Sequence, residues 1–413
     1  MMQSLLGIFL IIAVCYAFSA ERSAITWRPV VAGILVQLLL VLLLLKVTFI
    51  AEALLSLNII VETLEAATQQ GAVFLFGYLG GAEAPYIAKD GAEAYLLAFR
   101  VLPQILMFAV IVAILWYYKV LQWLVRGLGL VMQRSMGISG ALGTGAAASL
   151  FLGMVEAPMV VRAYLKEMSE SEFFVLMTCG MSTIAGTMMV LYASVLSPLV
   201  PGVVGHLLAA SVINIVGAVY LSKMLMPGAQ SLDAAAPSTI ELRYESLMDA
   251  IARGTQDGLN LALQIGAMLL VLNALVALVN LLIGYINPFD IALSLELIMG
   301  WVFAPVAFAI GIPWAEAVDA GGILGTKLVL NEFIGYLQMV AMGDQLGERS
   351  QLILTYALCS FANLGSLGIL IGGLGVLVPE RRAEILKAAP KSILSGTMVT
   401  MMTASLVALV TSF

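Results

Sequence analysis

The sequence predicts an all-α polytopic membrane protein with about eight transmembrane helices plus two re-entrant hairpins. Three observations carry this. Of 413 residues, 62% are hydrophobic and 11% are charged, less than half the roughly 25% charge of an ordinary soluble domain. The apolar residues come in runs long enough to cross a bilayer, which takes about 20 residues. Two polar interruptions, one in each half, break the apolar sequence without becoming loops. This composition, with net charge −6 and no polybasic tract, excludes a disordered chain, a disulfide-stapled secreted module and a basic nucleic-acid binder.

In chain order, the candidate spans are residues 4–20, 30–46, 98–118, 173–196, 206–224, 259–284, 353–377 and 393–412. The first lacks the basic flank of a signal peptide and a second apolar run follows closely, so it reads as an uncleaved span. Arg22 and Arg28, then Lys119, Arg126 and Arg134, then Arg381, Arg382, Lys387 and Lys391 fall on one side, expected to be cytoplasmic, with both termini outward. The acidic segment 52–93 is expected outside or along the outer interface. Residues 122–136 and 289–312 read as interfacial or tilted helices, and 225–256 as a cytoplasmic linker between two halves. Cys15, Cys179 and Cys359 lie in apolar stretches and read as buried small hydrophobes. His206, the single histidine, follows a short turn and makes a histidine-based metal site improbable.

The two interruptions are GTGAAASLFLGMVEAPMVVRAY at 143–164 and GGILGTKLVLNEFIGYLQ at 321–338. Each is too short and too broken to span twice, so each reads as a re-entrant hairpin. Each is followed by a span with its own polar break, at Ser182 and Thr183 and at Asn363 and Ser366, which points to a duplicated unit. Paired broken segments in corresponding halves are the best sequence pointer to a secondary transporter's site. A broken helix leaves backbone groups unpaired at membrane depth, tolerable only against protein or a wet cavity. A carboxylate there costs at least about 2.5–3.5 kcal/mol, so Glu156 and Glu332 read as functional. The plainer alternative is solvation at a hairpin mouth or neutralisation by Arg162 or Lys327. For Ser149 and Thr183 it is hydrogen bonding back to helix carbonyls. The glycines of GGLG, 372–375, read as close helix packing.

At these residues the chain resembles the concentrative nucleoside transporter family, cation-coupled nucleoside symporters. GTKLVLNEFIGY at 325–336 is similar to the family's G-x-K-x-x-x-N-E-F-V-A-Y. FANLGSLGILIGGLG at 361–375, EAP at 156–158, STIAG at 182–186 and FRVLP at 99–103 extend the likeness over nearly the full length. The resemblance implies a homotrimer with a substrate site in each protomer, an inverted repeat, and an elevator-type motion of a transport domain holding both hairpins. It divides the chain into N-terminal spans and scaffold at 1–120, a first repeat at 121–224, the linker at 225–257, a scaffold span at 258–288 and a second repeat at 289–413. Substrate would contact Met154, Val155, Glu156, Met188, Glu332, Phe361, Asn363 and Ser366. Glu332, Asn363 and Ser366 would take the ribose, beside Phe361. Glu156 would face the base, with Met188 on the apolar wall. Na+ would sit near Ser149, Leu152, Thr183 and Ile184. No cofactor is implied beyond Na+ or H+ as coupling ion, and the expected partners are a nucleoside, the bilayer and two further copies, with no nucleic acid. The short loops suit a multi-pass protein of the cell inner membrane.

Two departures stand out. Where the family reads G-Q-T-E or G-Q-S-E, this chain has GMVE, so Met154 and Val155 replace an amide and a hydroxyl. Loss of those groups weakens readout of a pyrimidine edge and favours a ring recognised by packing: a purine nucleoside, a modified nucleoside or another ribosyl compound. Ser149 stands where sodium-coupled members often carry Asn, which leaves a proton on Glu156 or Glu332 as the rival to Na+. Nucleoside symport is the leading expectation. A membrane-embedded enzyme using the Glu pair lacks a nucleophile, metal cluster or phosphate loop beside them. A channel would need no buried carboxylate pair to bind a solute.

Overall fold

The structure is a computed structural model describing residues 2–86, 96–228, 244–286 and 293–412. All regular elements among the described residues are helices. The N-terminal part holds α1 (Met2–Ala17), α2 (Trp27–Lys46), α3 (Thr48–Phe76), the single turn α4 (Leu97–Arg100), α5 (Leu102–Tyr117) and α6 (Val120–Met136). Next come α7 (Gly140–Ala148), α8 (Glu156–Val160), α9 (Glu170–Ser182), α10 (Gly186–Leu196) and α11 (Val203–Leu225). The second half holds α12 (Leu247–Ile286), α13 (Leu295–Ala309), α14 (Ala317–Val329), α15 (Glu332–Ala341), α16 (Glu348–Leu358), α17 (Leu364–Leu377) and α18 (Arg382–Val410).

Among the described residues, six segments are long and apolar enough to cross a membrane: Trp27–Lys46, Leu97–Tyr117, Glu170–Leu196, Val203–Leu225, Leu247–Tyr285 and Pro379–Val410. The other two expected spans appear as a 16-residue helix, α1, and as the pair α16 and α17. The apolar stretches 173–196 and 353–377 are each two helices, α9/α10 and α16/α17, broken where the polar residues fall. Restarting a helix inside an apolar setting requires a partner for its first amides. Asn363 supplies one, its side-chain oxygen accepting from the Ser366 amide at 2.7 Å, and Asn331 does the same for α15 through Ile334 at 2.9 Å. The two hairpins are α7–α8, with residues 149–155 at the tip, and α14–α15, turning at 330–331.

The segment expected to be interfacial at 122–136 is α6. It buries Leu121, Val125, Gly129 and Met132, a helical stripe, and exposes Arg126 and Arg134. The acidic stretch 52–93 is largely the 29-residue α3, while Asp90 and Glu93 lie outside the described residues. Of 289–312, the part from Leu295 is α13, which carries Pro305 and packs on α14 through Gly300 and Gly321. Much of the expected linker, 229–243, lies outside the described residues. Its last part is helical, since α12 begins at Leu247 and is supported there by an Asp249–Arg253 pair one turn apart.

The 40-residue α12 packs along α5. On α12, a Cβ at Gly254 would lie 2.9 Å from the Val110 Cα of α5, and one at Gly258 would lie 2.7 Å from the Leu106 Cα. Small residues there let the two backbones meet. The rest of α12 exposes Leu263, Leu270, Leu281 and Tyr285. The main core gathers around α9, α11, α16 and α18, where Cys15, Cys179 and Cys359 are all free and buried.

Candidate functional site

Each hairpin tip meets the break in the helix pair that follows it. At the first, the Thr183 hydroxyl donates to the Ser149 carbonyl at 3.0 Å and to the Cys179 carbonyl at 2.9 Å, and the Gly186 amide donates to the Phe151 carbonyl at 3.1 Å. The Ser149 hydroxyl donates back to Gly145 at 3.2 Å. Both hydroxyls therefore serve helix carbonyls, as the plainer alternative anticipated, and still sit together at one tip. Leu152 is half-buried on that tip, and Ile184 is buried in the break. The oxygen-rich surroundings, hydroxyls with free lone pairs and carbonyls at a helix end, are of the type a hard cation takes.

At the second tip, Glu332 begins α15 and is 3% exposed. Its Oε2 accepts from the Asn363 amide at 3.0 Å, and its Oε1 accepts from the Tyr192 hydroxyl at 2.5 Å. Lys327, also buried, donates to the Ser360 hydroxyl at 2.8 Å, tying the first arm of this hairpin to the same break. Ser366 is buried one turn into α17, and Phe361 is 9% exposed within the break.

The two breaks are joined to each other. The Phe361 amide donates to the Thr183 carbonyl at 3.3 Å. From α11, the Asn214 amide donates both to the Ser182 carbonyl at 2.8 Å and to the Cys359 carbonyl at 3.1 Å. Its oxygen accepts from Thr403, which accepts from Gln37, which in turn accepts from Tyr220. This buried chain satisfies carbonyls that the helix breaks leave without helical partners.

The residues that depart from the family pattern pack on glycines. A Cβ at Gly180 would lie 3.1 Å from the Met154 backbone and side chain, and one at Gly373 would lie 2.4 Å from Val155 Cγ2. Within GGLG, Gly373 thus serves close packing as expected, Gly375 meets the Arg382 side chain, and Gly372 has no neighbour among the described residues within 4 Å of an added Cβ. Glu156 is exposed and curls over Gly153, where a Cβ would meet its carboxylate at 2.3 Å. Met188 is buried on α10, one turn before Tyr192. The structure thus clusters Glu332, Phe361, Asn363 and Ser366 at one break, and Ser149, Leu152, Thr183 and Ile184 at the other. Glu156 stands apart from Glu332 in its exposure.

Sequence reasoning missed Tyr192 and Asn214. Both carried a signal. Tyr192 is four residues after Met188, hence on the same helix face. Asn214 is a lone amide inside an apolar span, where a polar side chain needs a partner helix.

Broken helices that turn their ends and a buried carboxylate toward one another inside a membrane bundle define a polytopic carrier of a polar solute. The comparisons say which kind. Residues 206–408 match the C-terminus and 6–79 the N-terminus of the Na+ dependent nucleoside transporter family, and 98–199 match a nucleoside-recognition Gate domain. The nucleoside permease NupC of Helicobacter pylori is 37% identical over 98% of this chain and 97% of its own. Human solute carrier family 28 member 3 is 31% identical over 98% of this chain and 59% of its own. The structure of CNTnw in an inward-facing substrate-bound state superposes with a TM-score of 0.89 at 34% identity, covering 100% of this chain and 98% of that one. A CNTnw variant in an outward-facing state gives 0.91 at the same identity and coverage. The chain belongs to the Na+ dependent nucleoside transporter family, whose members are transporters and not enzymes.

Proposed function

We propose that this protein imports nucleosides by symport with Na+, alternating access through an elevator-type movement of both hairpins across the membrane. The observation that carries the reading is the Glu332 carboxylate, buried at a helix restart and faced by the Asn363 amide. An ionised carboxylate is a strong acceptor for sugar hydroxyls, and Asn363 and Ser366 add polar groups beside it. Phe361 lines the pocket, and Glu156, Met154, Val155 and Met188 face the base. Because Met154 and Val155 offer no hydrogen bonds to a base edge, base recognition rests on packing and on Glu156. Purine or modified nucleosides suit such a pocket. Na+ sits among Ser149, Leu152, Thr183 and Ile184, on hydroxyl and carbonyl oxygens. The protein works as a homotrimer in the inner membrane, with eight spans and an inverted repeat of the two hairpin units.

The test is uptake of a radiolabelled nucleoside panel into proteoliposomes under imposed Na+ or H+ gradients. Accumulation under a Na+ gradient supports the reading. Accumulation under a proton gradient alone moves the coupling to a carboxylate, and equilibration without accumulation describes a channel.

A further inference from the structure

We propose that Tyr192 is a positioning residue that sets the preference of this site for a sugar with two adjacent hydroxyls. The inference rests on the reading that Glu332 accepts sugar hydroxyls. The Glu332 oxygens are held from two sides: Oε1 by the Tyr192 hydroxyl at 2.5 Å, and Oε2 by the Asn363 amide at 3.0 Å. A carboxylate offers about four lone-pair sites, so each oxygen keeps one acceptor direction for a ligand. Two hydroxyls on neighbouring carbons match that pair of directions.

Both clamps are themselves held by further contacts. The Asn363 oxygen is taken by the Ser366 amide at 2.7 Å, which fixes which end of the side chain faces Glu332. The Tyr192 ring is fully buried, stacked on Phe333 at 6.0 Å between centroids and tilted against Tyr336 at 5.2 Å. Tyr336 is pinned in turn by its hydroxyl on the Thr355 carbonyl at 3.0 Å. The terminal torsion of a glutamate is soft. Removing the Tyr192 hydroxyl frees Oε1, and the carboxylate then no longer presents both acceptor directions in a fixed plane. A diol loses more from this than a sugar with one hydroxyl, because only the diol uses both directions. The clamp also spans the molecule, since Tyr192 lies on α10 of the first half and Glu332 on α15 of the second.

The experiment measures uptake kinetics in proteoliposomes for uridine and adenosine and for their 2′-deoxy and 3′-deoxy forms. Tyr192→Phe is expected to raise KM for the ribonucleosides about tenfold, leaving Vmax and the deoxynucleoside KM values within about twofold. The ribo-over-deoxy preference then collapses. Titration calorimetry of the purified variant with the same probes is expected to show the same loss. An equal KM rise for all probes, a fall in Vmax at constant KM, or unchanged kinetics overturns the inference. Glu332→Gln, run in parallel, separates the two claims. If Glu332→Gln transports normally, the sugar reading falls and the inference with it. If Glu332→Gln is inactive and Tyr192→Phe is unchanged, only the role of Tyr192 falls.

Discussion

The backbone amide of Phe361 donates to the carbonyl of Thr183 across 3.3 Å, so the unwound part of one broken helix is hydrogen-bonded to the unwound part of the other. The cation surroundings expected at the first break and the sugar surroundings expected at the second are therefore mechanically continuous. On the proposed reading, a change at Thr183 would be one hydrogen bond away from Phe361, the residue proposed to line the sugar pocket.

Thr183→Val keeps the shape of this side chain and removes its hydroxyl, which donates to Ser149 and Cys179. We expect the Na+ concentration for half-maximal uptake to rise about tenfold, equivalent to roughly 1.4 kcal/mol. A Na+ titration of initial uptake rates checks it, and an unchanged midpoint removes Thr183 from the ion site.

Glu332→Gln retains size and loses charge. On the proposed reading, two charge-assisted hydrogen bonds to the sugar, each about 1.5–3 kcal/mol, weaken together, so uptake is expected to fall by a factor on the order of 10² or more. The variant remains folded, because Gln can still accept from Tyr192 or Asn363. Uptake and size-exclusion behaviour measured together decide it.

Gly373→Ala places a methyl 2.4 Å from Val155 Cγ2, and valine is stiff at χ1. Overpacking of this kind costs about 1–3 kcal/mol. It wedges the first hairpin tip away from α17 and slows uptake. Adding Val155→Ala makes room, so the double variant is expected to recover most of the rate. Failure of that rescue would mean that the contact does not limit hairpin movement.

Asn214→Leu strips partners from the Ser182 and Cys359 carbonyls at once and leaves Thr403 without its acceptor. With each buried unsatisfied group worth about 1–3 kcal/mol, this variant is expected to lose several degrees of thermal stability in detergent. Asn214→Asp cannot donate to either carbonyl and should fare no better. An unchanged melting curve for both variants contradicts the bridging role.

Met154→Gln with Val155→Thr restores an amide and a hydroxyl to the first hairpin tip. Threonine has nearly the shape of valine, so the packing on Gly373 survives. We expect the KM for uridine to fall relative to adenosine by about tenfold, the size of one well-made polar contact. Competition uptake with the two nucleosides measures it directly.

Much of this protein was legible from residue order. The apolar runs mark the spans because a backbone crossing lipid must pair its own amides, so helix length follows bilayer thickness. The polar words EAP, NEF and FANLGS mark the broken segments because nothing else justifies such residues in that setting. The long helix α12 was less legible at its start, where Asp249, Arg253 and Asp257 look like a loop and are turns of helix packed on α5 through Gly254 and Gly258. Polar composition reports exposure to water, and a helix end outside the membrane is polar too.

The sequence by itself determined the class of the molecule, the two hairpins and the two breaks, since these follow from periodicity, chain length and the intolerance of lipid for unpaired polar groups. Only the tertiary structure decided which polar groups meet. Tyr192 and Glu332 are 140 residues apart, and Asn214 reaches carbonyls on helices from both halves. No local pattern encodes such pairs, because a hydrogen bond between distant segments depends on the packing angles and depths of whole helices. Those are set by the sum of many small contacts, such as Val155 on Gly373, rather than by the residues that finally touch.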